Sequence, residues 1–563
     1  MDIQTTTTQV GPPSGCESAG TPTAARRWVA VAAWVAGSFA LFGLFLRISL
    51  SSHVNSDGAI NALQAWDLLH GNVLLHGWRI ADANFYFLEL PLNAITAAVF
   101  GLGDFAAHAA SALTYMFVTL CAVALAVTGS RGAARAVRCA VIVMVLAAPL
   151  LSAVSLRLVL EEPDHIGTSV FVLGSFLLID WSARQRAGLR GGTGGLSPPE
   201  PAASARQRAG LRARRFTAPL LCLILVAGQF SDLTVRYVAV PAVVLVCGYR
   251  AIAARKLRSP DTALVAAAIA SVALTTALSA VIVRLGGFTA LAPWAQIAPA
   301  RTWPHHVPVT LGNIRLLFGA VHEQSTKMGV AGSAFGLACL LAAVFGLVWV
   351  VCRRSRATRA EQLLCVAVVC NIGIDVISTA ATPANPHELA VILPAGAVLA
   401  ARAIVPARIS FLPAAFIAVA LTAVAAIAPL AAAATAAPVK PFMGPVTTWL
   451  DAHGLRYGIA GYWLAASGTL QAGDEIQIRT VDLGKKIRGS GRELVDSGYQ
   501  VEPSWYDPSL HDATFVIADP GAGFPVDMFE RAFGRPAATH AVGGYTVLIY
   551  RTNLLRLLHR PAA

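Results

Sequence analysis

The stretch His53–Pro91 reads HVNSDGAINALQAWDLLHGNVLLHGWRIADANFYFLELP, and its reading decides how the rest of the chain is laid out. It follows the first long apolar run, Trp28 to Ile48, and gathers acids, histidines, aromatics and glycines. Asp57 is the first acid after that run. Asn55-Ser56-Asp57-Gly58 reads as a helix start, where a polar side chain caps free N–H groups. Ala59, Leu63, Trp66 and Leu69 then recur at helical spacing. Two roles are open to Asp57 and are compatible: a helix cap, or a general base toward a hydroxyl at the membrane edge. His76-Gly77-Trp78-Arg79 places an imidazole, an indole and a guanidinium beside a glycine turn. Aromatics near carboxylates suit a sugar ring, which has an apolar face and a polar rim. Trp78, Phe85, Tyr86 and Phe87 equally fit an aromatic belt at headgroup depth.

Working outward, composition identifies the class. The chain has 563 residues, 56% of them hydrophobic and 13% charged. A soluble protein carries roughly a quarter charged residues. The mean hydropathy is +0.62, and the apolar residues fall in runs of about 17–25, the length that crosses a bilayer core. This is a polytopic α-helical membrane protein. The run Trp28 to Ile48 is too long for a signal-peptide core, and no small-residue cleavage site follows it, so it reads as an uncleaved span. The net charge of +13 sits in short hydrophilic breaks, the positive-inside pattern of cytoplasmic loops. No basic groove interleaved with aromatics is present, which argues against nucleic acid as a partner. The nine cysteines lie mostly in apolar runs without metal-ligand spacing and read as small buried hydrophobes.

Charge bookkeeping sets the topology. Residues 1–27, rich in Thr, Gly, Pro and Ser, read as a disordered cytoplasmic tail. Residues 28–435 form the membrane domain, with a first external loop at 49–104 and a basic cytoplasmic loop at 182–215. Within the external loop, 86–103 is weakly apolar. Counting it as a crossing would put Arg131, Arg135 and Arg138 outside, so it reads as interfacial or re-entrant. Spans near 105–128, 139–158, 166–181, 216–231, 233–253, 261–285, 328–352, 362–381, 387–405 and 410–432 follow. With the first, the expectation is about eleven crossings, the N-terminus cytoplasmic and the C-terminus outside. The loop 182–215 repeats SARQRAGLR at Ser182–Arg190 and Ser204–Arg212, a flexible linker next to anionic lipid. Residues 436–563 change character. Beta-like runs at Tyr457–Trp463, Glu475–Val481, Thr514–Ala518 and Tyr545–Tyr550, with helices at Pro445–His453 and Pro525–Phe533, predict a small extracytoplasmic α/β domain. Leu554 to Arg560 reads either as a membrane-surface segment or as a plain C-terminal helix.

Ionisable groups at a membrane edge are costly and are functional candidates by default. Outside the first loop they are Glu161, Asp164 and His165 in LEEPDHIGT, Asp232 and Arg236 in FSDLTVRY, Arg301 in ARTWPHH, Asp375, and His387-Glu388. The acidic turn at Glu161 offers oxygen and nitrogen ligands to a divalent cation, or is simply a solvated turn. Arg236 and Arg301 could hold a phosphate or snorkel to headgroups. Walker A, HExxH, GxSxG and paired CxxC motifs are all missing from the sequence, which leaves ATP-driven transport, zinc proteolysis and serine hydrolysis unsupported.

Asp57 in NSDGAINALQAWDLLHGN, the outer turn EEPDHIGT, HELAVILPAGAVLAAR from His387, and GLRYGIAGYW in the C-terminal part resemble GT-C-type integral membrane glycosyltransferases. The likeness is to protein O-mannosyltransferases and bacterial polyprenyl-phosphate-sugar-dependent transferases. Many of those carry an Asp-Glu pair in the first loop, whereas Gly58 follows Asp57 here. The resemblance implies a polyprenyl-phosphate-linked sugar donor and an envelope glycan, lipid or protein acceptor, within surrounding membrane lipid. It also implies Asp57 as the base, with His76, Trp78, Arg79, Glu161, Asp164, His165, Arg236, Arg301 and His387 near the substrate. Two other readings are a secondary transporter or flippase, which predicts inverted repeats, and a non-catalytic membrane scaffold. No clear inverted repeat is visible.

Overall fold

The computed structural model describes residues 24–161, 165–191, 201–255, 259–291, 295–321, 327–407, 430–487 and 491–558. Most of the N-terminal tail, the middle of the basic loop at 192–200, Asp164, and most of the span expected near 410–432 lie outside the described residues. The chain divides into two units, Met1–Leu41 and Phe42–Ala563. In the first, the start of the helix Ala24–Ser49 exposes Trp28, Val31, Trp34 and Phe39, as a lipid-facing helix does.

Among the described residues, seven helices are long and apolar enough to cross a membrane: Val31–Ser49, Asp104–Val127, Thr234–Ala253, Pro260–Arg284, Gly329–Cys352, Arg359–Ile377 and Pro386–Ile404. Leu245, Ile269, Leu341 and Val369 are exposed on them, which suits a solvent of lipid tails. The protein is therefore a multi-pass membrane protein. The segment expected to be re-entrant is the helix Glu89–Phe100, of 12 residues. At 1.5 Å per residue it is about 18 Å long, too short for a core of about 30 Å.

Two regions differ from expectation. The span expected at 139–158 is broken. The helix Ala133–Ala147 stops before Pro149, which has no N–H to donate. A short turn, Ala153–Leu156, then restarts with Ser152 as its cap and runs into a π-helical turn, Arg157–Glu161. Such turns insert a residue and often mark functional sites. The stretch 286–327, expected as loop, contains the helix Trp303–Leu317.

The C-terminal part is an α/β domain. After two short strands in the membrane domain, β1 (Arg79–Ile80) and β2 (Thr289–Ala290), come β3 (Tyr457–Gly461), β4 (Gln477–Ile487), β5 (Gly491–Asp496), β6 (Phe515–Ala518), β7 (Ala538–Val542) and β8 (Tyr545–Ile549). β1 pairs with β2; the others form one sheet in the order β5-β4-β3-β6-β8-β7. β4, β3 and β6 are parallel and the edges antiparallel. Leu554, Leu555 and Leu558 are buried in the core of this domain. Leu554–Arg556 is a 3-10 turn, so the described part of this segment, up to Leu558, packs into the domain rather than lying on a membrane surface; its last residues lie outside the described ones.

The crossover from β3 to β4 is the helix Tyr462–Gln471. It packs against the helix Ser56–Leu69 of the first loop. The Ser56 hydroxyl donates to the Tyr462 carbonyl at 2.6 Å, and Ala59, Leu63, Ala466 and Leu470 share one apolar core. Arg79 and Val501 exchange backbone hydrogen bonds of 2.8 and 3.1 Å. The soluble domain is thus clamped onto the loop that carries Asp57.

Candidate functional site

Asp57 is the second residue of the helix Ser56–Leu69, but it is not the cap. The Asn55 side chain accepts from the Gly58 N–H at 3.0 Å, which leaves the Asp57 carboxylate available. The Tyr462 hydroxyl donates to Asp57 Oδ1. Burial pushes the Asp57 carboxyl above the ordinary range, and the Tyr462 bond partly offsets it. Gly58 has a steric reason. A Cβ there would stand 3.1 Å from the Glu161 carbonyl oxygen and 3.4 Å from Val54 Cγ1. The acidic turn packs where a second acid would have projected.

Asp57 opens into a cavity of about 70 Å³ that it lines with Asn61, Asp82, Phe85, His165, His387, Glu388, Tyr499 and Gln500. Three of these, Phe85, His165 and Gln500, are non-glycine residues at φ of 54°, 53° and 57°. That backbone costs free energy and concentrates at functional sites. A larger cavity of about 230 Å³ shares Asp82, Ala83, His165 and Glu388 with the first. Its other walls include Leu233, Tyr237, Ile297, Ile374 and Ile377. A polar chamber therefore adjoins a mostly apolar one.

His165 is held by the turn after the helix Pro201–Ser231. Its Nδ1 lies 2.7 Å from Asp232 Oδ2. Asp232 also accepts from the Thr168 hydroxyl and from the Thr234 N–H. Burial alone would raise the Asp232 carboxyl, but the His165 charge and these hydrogen bonds outweigh it and hold the carboxyl below its usual range. Asp82 behaves oppositely: burial lifts it, and His165 offsets only part. The His387 ring stacks on His165, 5.4 Å between centroids and 4° between planes. His165, His387 and Glu388 each offer a ligand atom, all within 4.8 Å of one another. In the larger cavity, Asp375 Oδ1 and Asn371 Oδ1 are buried acceptors with no hydrogen-bond partner.

Other residues expected at the site fall elsewhere. His76 is exposed and its Nδ1 lies 2.7 Å from the Gly286 carbonyl, tying the loop to the end of the helix Pro260–Arg284. Arg79 is exposed on β1. Trp78 is buried and donates to Asp67 Oδ2 at 2.8 Å, so it is not part of a membrane-facing belt. Arg236 bonds Gln229 Oε1 at 3.3 Å, and Arg301 is exposed in a 3-10 turn. Glu161 pairs with Arg157 at 3.5 Å, and burial pushes its carboxyl up to about 7. None of these residues lines either cavity, and among the described residues no arginine or lysine does. Arg236 and Arg301 thus lie outside both chambers. The smaller one is lined by acids, imidazoles and amides together with Phe85 and Tyr499. Tyr462, Tyr499 and Gln500 were not singled out from sequence. They come from the soluble domain; Tyr462 lies in the GLRYGIAGYW stretch, whose pattern gives no role to that residue, and no local pattern marks Tyr499 or Gln500.

No family model matches the sequence, and no curated protein matches it. Solved structures do match. ArnT from Cupriavidus metallidurans in the apo state aligns with a TM-score of 0.52 at 12% identity, over 96% of this chain and 100% of that one. The same protein bound to undecaprenyl phosphate aligns with a TM-score of 0.48, at the same identity and coverage. From the apo alignment, the chain has the GT-C-like membrane fold found in ArnT.

Proposed function

We propose that the chain is a membrane glycosyltransferase. It moves a sugar from a polyprenyl-phosphate donor to a hydroxyl of a cell-envelope acceptor, on the outer face. The observation that carries this reading is Asp57: a carboxylate oriented by Tyr462, in a polar chamber that adjoins a mostly apolar one. The apolar walls suit the first lipid units, and the polar chamber suits the sugar.

In this reading Asp57 takes the proton of the acceptor hydroxyl. A carboxylate with raised proton affinity is a better base near neutral pH. The acceptor oxygen attacks the anomeric carbon with inversion, and the phosphate leaves on its lipid. No arginine or lysine among the described residues meets that phosphate, and the clustered donors fit a divalent cation. His165, His387 and Glu388 would hold it, with Asp232 orienting His165 through Nδ1. When bound, it would supply positive charge beside the phosphate. The basic breaks support a cytoplasmic N-terminus and an outer C-terminal domain.

The test is reconstitution of the full chain in vesicles containing polyprenyl-phosphate sugars. Release of the lipid phosphate with sugar transfer is expected, and Asp57→Asn lowers it at least about a hundredfold. Translocation of intact donor without release would support the flippase reading and overturn this one.

A further inference from the structure

A third cavity, of about 270 Å³, lies at the other end of the helix Ser56–Leu69, where the first loop meets the soluble domain. It is about 15 Å from Asp57 along the helix axis, at 1.5 Å per residue. Asp67 and Trp66 contribute from the helix, Asp474 and Arg479 from the segment around β4, and Glu502 and Trp505 from the loop after β5.

Its surfaces are of two kinds. Trp66 and Trp505 are half-buried, so part of each indole stays accessible. Trp505 is fixed on both sides: Trp78 meets it edge-on at 5.1 Å, and the Arg479 guanidinium lies 3.9 Å over its ring. Around them stand the carboxylates of Asp67, Asp474 and Glu502. Arg479 is only 6% exposed. Its Nη2 donates to Gln477 Oε1 at 2.8 Å, but its buried Nε–H has no hydrogen-bond partner. A buried donor without an acceptor is costly and calls for a ligand oxygen. Asp474 sits at φ 67°, a costly backbone for a non-glycine residue in a cavity wall.

We propose that this seam cavity is a saccharide-binding subsite. It would hold a ring of the acceptor glycan away from the reacting hydroxyl. A ring C–H face stacks on Trp66, the clamped Trp505 walls the cavity, the carboxylates accept hydrogen bonds from ring hydroxyls, and the Arg479 Nε–H donates to a ring or hydroxyl oxygen. The common helix would set the spacing between the bound ring and Asp57. The inference rests on the glycosyltransferase reading for its choice of ligand.

The test measures binding, not turnover. The full chain in nanodiscs is titrated with gluco-, manno- and arabino-oligosaccharides of two to six units, followed by tryptophan fluorescence and ligand-detected NMR. At least one series should bind, more tightly as length grows. Trp66→Ala and Glu502→Gln should each weaken it about tenfold. Thermal unfolding confirms that each variant is folded, and Trp66→Phe, which keeps an aromatic face, should retain binding. No binding by any series, or binding insensitive to both Trp66→Ala and Glu502→Gln, overturns the subsite. A chain that binds sugars but shows no Asp57-dependent transfer would keep the subsite and remove the catalytic reading; the reverse result would do the opposite.

Discussion

Asp57 and Asp67 stand on one helix, Ser56–Leu69, and each is pinned by an aromatic donor, Tyr462 or Trp78. Their surroundings differ. Asp57 faces imidazoles and a chamber that opens toward span ends. Asp67 faces Glu502, Arg479 and indoles at the seam with the soluble domain. The same side chain on the same element is therefore placed for two kinds of work: proton transfer at one end, and recognition of hydroxyls at the other. Secondary structure sets their spacing, and the partner domain sets their chemistry.

The strongest way to break this contrast is to neutralise each acid in turn. Asp57→Asn should reduce sugar transfer at least about a hundredfold, whereas Asp67→Asn should chiefly weaken acceptor affinity, read as KM against kcat in the vesicle assay. Equal effects on kcat would erase the distinction.

Tyr462→Phe is the next test. Loss of a hydrogen bond to a carboxylate removes about 1.5–3 kcal/mol of orientation and charge stabilisation, so transfer should fall by about ten- to a hundredfold. That bond also lowers the Asp57 carboxyl pKa. The acid limb of the pH profile should therefore lie above the ordinary aspartate range and move further up in the variant. A downward movement would contradict the assignment.

Gly58→Ala probes the packing behind Asp57. The added Cβ meets the Glu161 carbonyl at 3.1 Å, and overpacking of this kind costs about 1–3 kcal/mol. The expected readout is a lower melting temperature of the purified protein, with Asp57-dependent transfer retained per folded molecule.

The smallest effect concerns the seam. Glu502 is raised from 4.5 to about 7, first by burial and then by the Asp67 charge. Between those values the folded state binds more protons than the unfolded one. Its contribution to stability is therefore largest at low pH and is lost as pH rises from about 4.5 to about 7. Glu502→Gln should flatten the pH dependence of the melting temperature in that window and leave it unchanged below. An unchanged slope would mean that Glu502 titrates normally.

Much of the architecture was legible in the sequence because its signals are local. Apolar run length identified the membrane class, and the shortness of Glu89–Phe100 agrees with the charge bookkeeping at Arg131–Arg138. The beta-like runs around Tyr457, Glu475, Thr514 and Tyr545 became β3, β4, β6 and β8. The edge strands β5 and β7 carry little apolar patterning, as in GRELVD and ATHAV, and were missed. The break at Pro149 was also missed because an apolar run conceals a backbone interruption. At the site, Asp57, His165 and His387 were singled out from sequence and the structure brings them to one chamber. Tyr462, Tyr499 and Gln500 were not, because a domain hundreds of residues away supplies them. Arg236 and Arg301 lie outside both chambers, and a charge near a span end is equally a topology signal.

The central claim is that Asp57 is the base of a sugar transfer to the cell envelope. Its most direct test is the glycan composition of envelopes from a deletion strain complemented with wild type or with Asp57→Asn, at matched protein levels in the membrane. Wild type should restore a sugar that the deletion lacks, and Asp57→Asn should leave it missing. Full restoration by Asp57→Asn would contradict the claim.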